Sequence, residues 1–187
     1  YCESGRDNTC GCRHSAQYGE LPFGYDHKYV YSHFGYNLKV TDMQAAIGCA
    51  QLKKFTGFVE KRKYNHAKLK NLLKSVEDKL ILPEPCENSS PSWFGFLITC
   101  REGVDRAKVV ESVEKAGIQT RMLFAGNLLR HPCFDEMRSK KEGYRVVGDL
   151  SVTDRIMKDT FWVGVYPGMT DAMIEYMAES IINALKK

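Results

Sequence analysis

The sequence predicts an α/β protein of the α+β type, in which a small, mostly antiparallel sheet is covered by helices. Two observations favour this fold. Apolar residues recur at helical spacing over a long segment that begins near residue 41. After residue 76, short aromatic and β-branched runs alternate with further helical patterns. We therefore expect one long helix, or two in tandem, followed by strands that are interleaved with shorter helices.

The first 76 residues are predicted to contain a loop and then the long helix. Residues 1–40 are rich in Gly, Tyr, His and Asp without a sustained period, so we expect a loop with a short strand at Lys28–Ser32. Thr41 and Gln44 have the spacing of a capping box and mark the start of the helix. Gly57 is a candidate break, so the segment is either one helix or two in tandem that end near Ser75.

The remaining residues alternate between strand and helix patterns. A helix is predicted to begin at Asp105 and to stop at Gly117, and Thr170 is the predicted N-cap of a last helix. Residues 125–150 form a polar loop with short helices, and a helical turn follows near residues 152–158. Four strands are predicted at Leu80–Leu82, Trp93–Cys100, Ile118–Phe124 and Phe161–Tyr166.

The overall composition excludes several classes of protein. The net charge of +4 comes from basic residues that mostly stand beside acids, whereas a nucleic-acid surface needs a denser basic cluster on one face. No apolar run approaches the length of a transmembrane helix. Seven cysteines, an odd number and mostly scattered, argue against a secreted disulfide framework, so we expect a cytoplasmic protein. Because the chain begins with Tyr1 rather than Met, we also expect it to be part of a longer chain.

Three polar residues are candidates for binding an anion, although each has a structural alternative. Asn37 stands just before the capped helix and either contacts a phosphate there or satisfies its own turn. Arg121 and Arg155 lie in or near apolar stretches, where an arginine pairs either with an anionic ligand or with an internal carboxylate. The default role of Phe94, which is a strand aromatic, is core packing.

The cysteines of the opening segment form a candidate metal site. Cys2, Cys10 and Cys12 stand in a polar loop, where thiolates can converge on a metal ion or an iron–sulfur cluster. Structural zinc sites usually contain CxxC pairs, and the loop has only CxC. Zinc is therefore weakly supported.

Several blocks of the sequence resemble one protein family along nearly the whole chain. The block GYDHKYVYSHFGYNLKVTDMQAAIGCAQLKKF resembles the DegT/DnrJ/EryC1/StrS family of sugar aminotransferases and dehydrases. The blocks LFAGNLLRHPCF, YRVVGDL and TDRIMKDTFWVGVYPG resemble its branch of CDP-4-keto-6-deoxy-D-glucose 3-dehydrases. This resemblance implies the C-terminal part of a type I pyridoxal-phosphate transferase fold. Residues 1–40 would be the tail of the large cofactor domain, 41–76 the linking helix and 77–187 the small domain.

The resemblance also implies cofactors and site residues. In this branch a histidine replaces the cofactor lysine, so the cofactor is pyridoxamine 5'-phosphate, and four cysteines in a pattern ending C-x-C-x7-C hold a [2Fe–2S] cluster. Cys2 and Cys10 match the last two ligands, and Cys12 is not part of the pattern. Asn37 matches the residue that reaches the cofactor phosphate of the neighbouring subunit. Phe94 and Arg155 match substrate-side positions, and Arg121 is a further substrate-binding candidate.

The implied activity is loss of the C3 hydroxyl from a CDP-4-keto-6-deoxy sugar, on the route to the 3,6-dideoxy sugars of lipopolysaccharide O-antigen. The cofactor amine condenses with the C4 ketone, and an upstream histidine acts as the base. An iron–sulfur flavin reductase is the expected electron donor, and the full-length enzyme is expected to be a homodimer. No catalytic residue is expected within these 187 residues, so we predict that this chain alone is inactive. Two alternatives stay open: a pyridoxal-phosphate-dependent aminotransferase of the same family, and a non-catalytic binding domain.

Overall fold

The computed structural model describes residues 13–31, 33–36 and 38–186 of the chain. They belong to two compact units, one that ends at Ala46 and one that begins at Ile47.

The N-terminal unit is built around a single turn of 3-10 helix at His27–Tyr29. Asp26 Oδ1 accepts a hydrogen bond from Lys28 N at 3.1 Å, and Arg13 pairs with Asp26 Oδ2 at 2.6 Å. The prediction of a strand at Lys28–Ser32 is therefore wrong over residues 28–31, because the Asp26 carboxylate caps a helical turn there. Ser32 lies outside the described residues.

Helix α1 spans Asp42–Leu73 and continues into a 3-10 turn at Lys74–Val76. The predicted capping box is confirmed: Thr41 N donates to Gln44 Oε1 at 3.0 Å, and Gln44 N donates to Thr41 Oγ1 at 3.3 Å. The helix passes through Gly57 without a break, so the prediction of a single helix is the correct alternative.

The two halves of α1 differ in exposure. Met43, Ile47 and Leu52 are 79%, 64% and 71% exposed, whereas Leu69 and Leu73 are fully buried. Only the C-terminal half of α1 therefore contributes to the core of the unit that begins at Ile47.

The sheet of the second unit has four strands in the order β1-β2-β4-β3, and every pair is antiparallel. The prediction of a small, mostly antiparallel sheet is confirmed, and each strand is shorter than its sequence pattern indicated. The strands are β1 Leu80–Ile81, β2 Gly95–Cys100, β3 Thr120–Met122 and β4 Thr160–Gly164.

One face of the sheet forms the core with the helices. Phe96 lies opposite Val163 and Ile98 lies opposite Phe161 in the β2–β4 ladder, and all four side chains are fully buried. Alternate residues of β2 are buried, as expected for a strand with one covered face. The remaining helices are α2 Arg106–Lys115, α3 Asp135–Lys140, α4 Ser151–Asp159 and α5 Asp171–Ala184.

Helix ends follow the predicted caps. Asp105 Oδ1 accepts from the backbone N–H groups of Ala107 and Lys108 at 2.9 and 3.3 Å. Gly117 has a φ of +79° and closes a Schellman motif at the end of α2, in which Ile118 N donates to Val113 O at 3.2 Å. None of the helices in the described part of the chain is long and apolar enough to cross a lipid bilayer.

Candidate functional site

Three aromatic rings stand in a row on the C-terminal unit, and we call Phe94, Trp162 and Phe124 the aromatic row. Phe94 meets Trp162 edge-on with ring centroids 5.4 Å apart, and Phe124 lies 6.3 Å from the same indole. Phe94 and Phe124 are 60% and 74% exposed, so the row presents apolar ring surface to solvent. Exposed, fixed aromatic rings are suited to binding the apolar face of a ligand ring.

Local sequence explains why Trp162 can occupy the middle of the row. A Cβ atom on Gly95 would lie 2.6 Å from Trp162 Cε3, so only glycine at this position leaves room for the indole across β2. The carbonyl of Met122 accepts hydrogen bonds from Trp162 Nε1 at 3.1 Å and from Phe124 N at 2.7 Å. The Met122 carbonyl oxygen thus accepts from both the Trp162 indole and the Phe124 backbone.

Arg121 lies on β3 opposite Trp162 and lines a cavity of about 510 Å³. When the Gln119 amide oxygen faces the guanidinium, it accepts from Arg121 Nη1 at 3.1 Å and Nη2 at 3.2 Å. The other lining residues are mainly aromatic or sulfur-containing: Trp162, Tyr166, Met169, Met173, Tyr176 and Met177. A cavity of this size with one cation at its edge has the character of a small-molecule pocket.

Arg155 lies on α4 and lines a second, more polar cavity of about 860 Å³. Arg101, Arg106 and Lys158 line the same cavity, together with the acids Glu102, Asp105 and Asp159. Neither Phe94 nor Arg121 lines this cavity. The structure therefore brings Arg121 close to the aromatic row through Trp162, and it places Arg155 in a separate cavity.

Within the described part of the chain, neither arginine has the internal ion pair that was the alternative to ligand binding. Among residues 13–31, 33–36 and 38–186, no carboxylate forms a salt bridge with Arg121 or Arg155. Each guanidinium therefore has donors that an external carboxylate or phosphate can use. Their roles as substrate ligands stay a prediction.

The loop that carries Phe124 is attached to α4 by one carboxylate, which the sequence patterns did not single out. Asp154 Oδ1 accepts from Asn127 Nδ2 at 2.7 Å, and Asp154 Oδ2 accepts from Arg130 Nη2 at 2.6 Å. Both hydrogen bonds lower the pKa of the Asp154 carboxyl below its usual value. The only signal in the sequence is Gly126, which suggests a backbone that other residues rarely adopt.

His66 on α1 is the most strongly perturbed histidine of the described residues. It is 6% exposed, and its ring lies 4.5 Å from the Trp93 ring and 4.7 Å from the Phe96 ring. Burial, and secondarily the charge of Lys70, lower the pKa of His66 to about 4, so the imidazole is neutral at pH 7. Because it packs between the core ring of Phe96 and the half-buried ring of Trp93, it is a packing residue in this unit.

The predicted cofactor and cluster ligands Asn37, Cys2 and Cys10 lie outside the described residues, as does Cys12. Within the described part of the chain, no group of three or more His, Cys, Asp or Glu side chains could hold a metal ion. Four described cysteines are free thiols, namely Cys49, Cys86, Cys100 and Cys133. Burial raises the pKa of the Cys100 thiol to about 11. The iron–sulfur ligand set therefore stays a prediction.

Comparison with known proteins places this geometry in a family context. Residues 12–182 match the DegT/DnrJ/EryC1/StrS aminotransferase family. The chain is 55% identical over 179 residues to the lipopolysaccharide biosynthesis protein RfbH of Salmonella typhimurium. This alignment covers 95% of this chain and 40% of RfbH. The chain is 47% identical over 189 residues to a dTDP-4-dehydro-2,6-dideoxy-D-glucose 3-dehydratase of Saccharopolyspora spinosa, covering 100% of this chain and 40% of that protein.

The structural comparison agrees with the sequence comparison. The chain matches the E. coli GDP-4-keto-6-deoxy-D-mannose-3-dehydratase with bound hydrated PLP at a TM-score of 0.69 and 27% identity. The match covers 82% of this chain and 38% of that one. The chain thus spans about two fifths of the length of the relatives it matches. The predicted fold, helices covering a small antiparallel sheet as in pyridoxal-phosphate-dependent transferases, is confirmed, whereas its assignment to the C-terminal part of such a protein stays a prediction.

Proposed function

Since the chain belongs to the DegT/DnrJ/EryC1/StrS aminotransferase family, we propose that it is part of a nucleotide-sugar 3-dehydratase. One observation carries the proposal: the identity of 47% with a 4-keto-sugar 3-dehydratase extends over 100% of this chain. The resemblance of several sequence blocks to the CDP-4-keto-6-deoxy-D-glucose branch favours that sugar as the substrate. The similarity to RfbH favours a place in O-antigen biosynthesis.

The site geometry supports a nucleotide-sugar ligand. Such a molecule combines a diphosphate, a planar base and a sugar whose ring has an apolar face. Arg121 has no salt bridge to a carboxylate among the described residues, and guanidinium groups bind phosphate well. The aromatic row beside it offers ring surface for the base or the sugar. Arg155 supplies a second cation in its own cavity.

The proposed cofactors are pyridoxamine 5'-phosphate and a [2Fe–2S] cluster. Asn37 would contact the cofactor phosphate of a partner subunit in a homodimer, and Cys2 and Cys10 would be two of the cluster ligands. When bound, pyridoxamine phosphate supplies a reactive amine and an electron sink for elimination at C3. The cluster, when bound, would supply one-electron transfer, with a separate iron–sulfur flavin reductase as the proposed electron donor. This chain would contribute phosphate and substrate contacts, whereas the catalytic base lies upstream.

The test is a product assay on the full-length protein. Purified enzyme with pyridoxamine phosphate, a flavin iron–sulfur reductase and NADH is incubated with CDP-4-keto-6-deoxy-D-glucose, and the product is analysed by mass spectrometry. We expect a 3-deoxy product that has lost the C3 oxygen. A 4-amino sugar formed with glutamate as the amino donor would instead identify an aminotransferase.

A matched pair of cysteine variants tests the cluster. We expect Cys10→Ser to lose iron, acid-labile sulfide and the visible absorption of the cluster, because a hydroxyl is a poor ligand for it. Cys133→Ser alters an exposed free thiol and serves as the control. Full iron content in the Cys10→Ser protein would refute the assignment of this ligand.

A further inference from the structure

Phe124 combines an exposed aromatic side chain with a backbone conformation that bulky residues rarely adopt. Its φ is +47°, in the left-handed region, and its side chain is 74% exposed. Burial therefore does not account for this conformation. A bulky residue held in this region commonly marks a functional position, where the surrounding structure stabilises the unfavourable backbone.

The stabilising contacts come from α4. Asp154 accepts hydrogen bonds from Asn127 Nδ2 at 2.7 Å, from Arg130 Nη2 at 2.6 Å and from Arg130 Nε at 3.2 Å. Asn127 is 4% exposed, and its Oδ1 accepts from Leu129 N at 3.1 Å. One carboxylate thus joins two residues of the loop that follows Phe124.

Met157, about one helical turn after Asp154 on α4, makes a second contact with the loop. The Met157 sulfur lies 3.3 Å from Asn127 N, and a Cβ atom on Gly126 would lie 2.5 Å from Met157 Cγ. Residues three apart share a helix face, so Asp154 and Met157 together form the surface on which the loop rests. Position 126 requires glycine for two reasons: its φ is +60°, and Met157 leaves no room for a Cβ atom.

We propose that Phe124 is a substrate-contacting residue, and that Asp154 is the positioning residue that holds it in the aromatic row through Asn127 and Arg130. The inference rests on the proposed function, because the ligand is a nucleotide sugar. Phe124 adds a second exposed ring beside Trp162, which Phe94 also contacts. The substrate surface therefore includes a ring that the sequence patterns did not indicate. Asp154 acts on the ligand only through the loop.

The experiment measures the Kd of CDP-glucose, a stable nucleotide-sugar probe, by calorimetry on the full-length protein with its cofactors. We expect Phe124→Ala to raise the Kd by about tenfold, which corresponds to ~1.4 kcal/mol. Phe124→Tyr, which keeps the ring, should bind as the wild type does. Asp154→Ala should raise the Kd by a similar factor, since it releases the loop. Lys140→Ala, which removes an exposed pair with Glu136, is the control.

The double variant distinguishes positioning from a separate contact. If Asp154 acts through Phe124, adding Asp154→Ala to Phe124→Ala leaves the Kd near that of Phe124→Ala alone. Independent contributions would instead multiply to about a hundredfold, which would overturn the positioning role. If Asp154→Ala does not fold, Arg130→Gln breaks the same ion pair from the loop side and completes the cycle.

The outcomes also separate this inference from the proposed function. Absence of CDP-glucose binding to the wild type, or an unchanged Kd in Phe124→Ala, would overturn the inference. Phe124-dependent binding without formation of a 3-deoxy product would overturn the proposed reaction and leave the inference standing. Formation of the 3-deoxy product, with the same Kd of CDP-glucose in Phe124→Ala as in the wild type, would support the proposed reaction and overturn the inference.

Discussion

Replacing Gly126 by alanine is the most direct test of how the loop sits on α4. The φ of +60° costs an L-residue roughly 1–2 kcal/mol in the left-handed region. The new methyl group would also lie 2.5 Å from Met157 Cγ and 2.9 Å from Met157 Cβ, and overpacking of this kind costs about 1–3 kcal/mol. We therefore expect Gly126→Ala to lower the free energy of unfolding by about 2–5 kcal/mol.

Gly148 provides the matched control, because its φ is +78° and, apart from its two chain neighbours, no described atom lies within 4 Å of an added Cβ. Gly148→Ala should therefore lose only the backbone contribution, about 1–2 kcal/mol. Urea unfolding followed by tryptophan fluorescence measures both, since Trp93 and Trp162 are the two tryptophans of the chain. Equal losses in the two variants would refute the close packing of the loop against Met157.

Three further predictions concern titration, capping and thiol reactivity. Burial holds the folded-state pKa of His66 at about 4, below its ordinary 6.5, so the unfolded chain binds more protons than the folded chain between pH 6.5 and pH 4. The free energy of unfolding should therefore fall by up to about 3 kcal/mol as the pH drops from 6.5 to 4. A His66→Phe variant should lack this dependence in urea titrations at pH 7 and pH 4.5. Asp105→Ala should cost about 1 kcal/mol by loss of the α2 cap, whereas Asp105→Asn, which keeps an acceptor oxygen, should change the melting temperature little. Cys100 should resist iodoacetamide in the folded protein while exposed Cys133 reacts, as peptide mass spectrometry would report; equal labelling would contradict the burial of Cys100.

Most regular elements were predictable because their signals are local. The capping box at Thr41 and Gln44 and the stop at Gly117 depend on neighbouring residues only, and the structure has both. The strand predicted at Lys28–Ser32 is wrong over residues 28–31 because side-chain contacts of Asp26 determine the backbone there. Asp26 caps a turn, and its salt bridge to Arg13 comes from 13 residues away, so aromatic and β-branched composition alone was misleading.

The candidate site was predictable only in part. Arg121 stood out as an arginine in a strand pattern, whereas Phe94 was a candidate only through the family resemblance, because its residue type indicated core packing. That default is wrong, since Phe94 is 60% exposed, and the structure brings both residues to Trp162. The contribution of Phe124 could not be anticipated. It depends on a positive φ, on Gly126 meeting Met157 and on a carboxylate from α4, which are tertiary contacts without a periodic signal.

The strand order has a consequence for how this unit is made during translation. Strand β4 lies between β2 and β3, yet it is the last of these four strands in the sequence. Before residues 160–164 leave the ribosome, the described strands can form only the two-residue pairing of β1 with β2. Phe96 and Ile98 of β2 then lack the strand opposite them, so their apolar side chains are open to chaperones or to other chains. Completion of this unit is therefore a late, nearly all-or-none event that depends on residues close to the C-terminal helix.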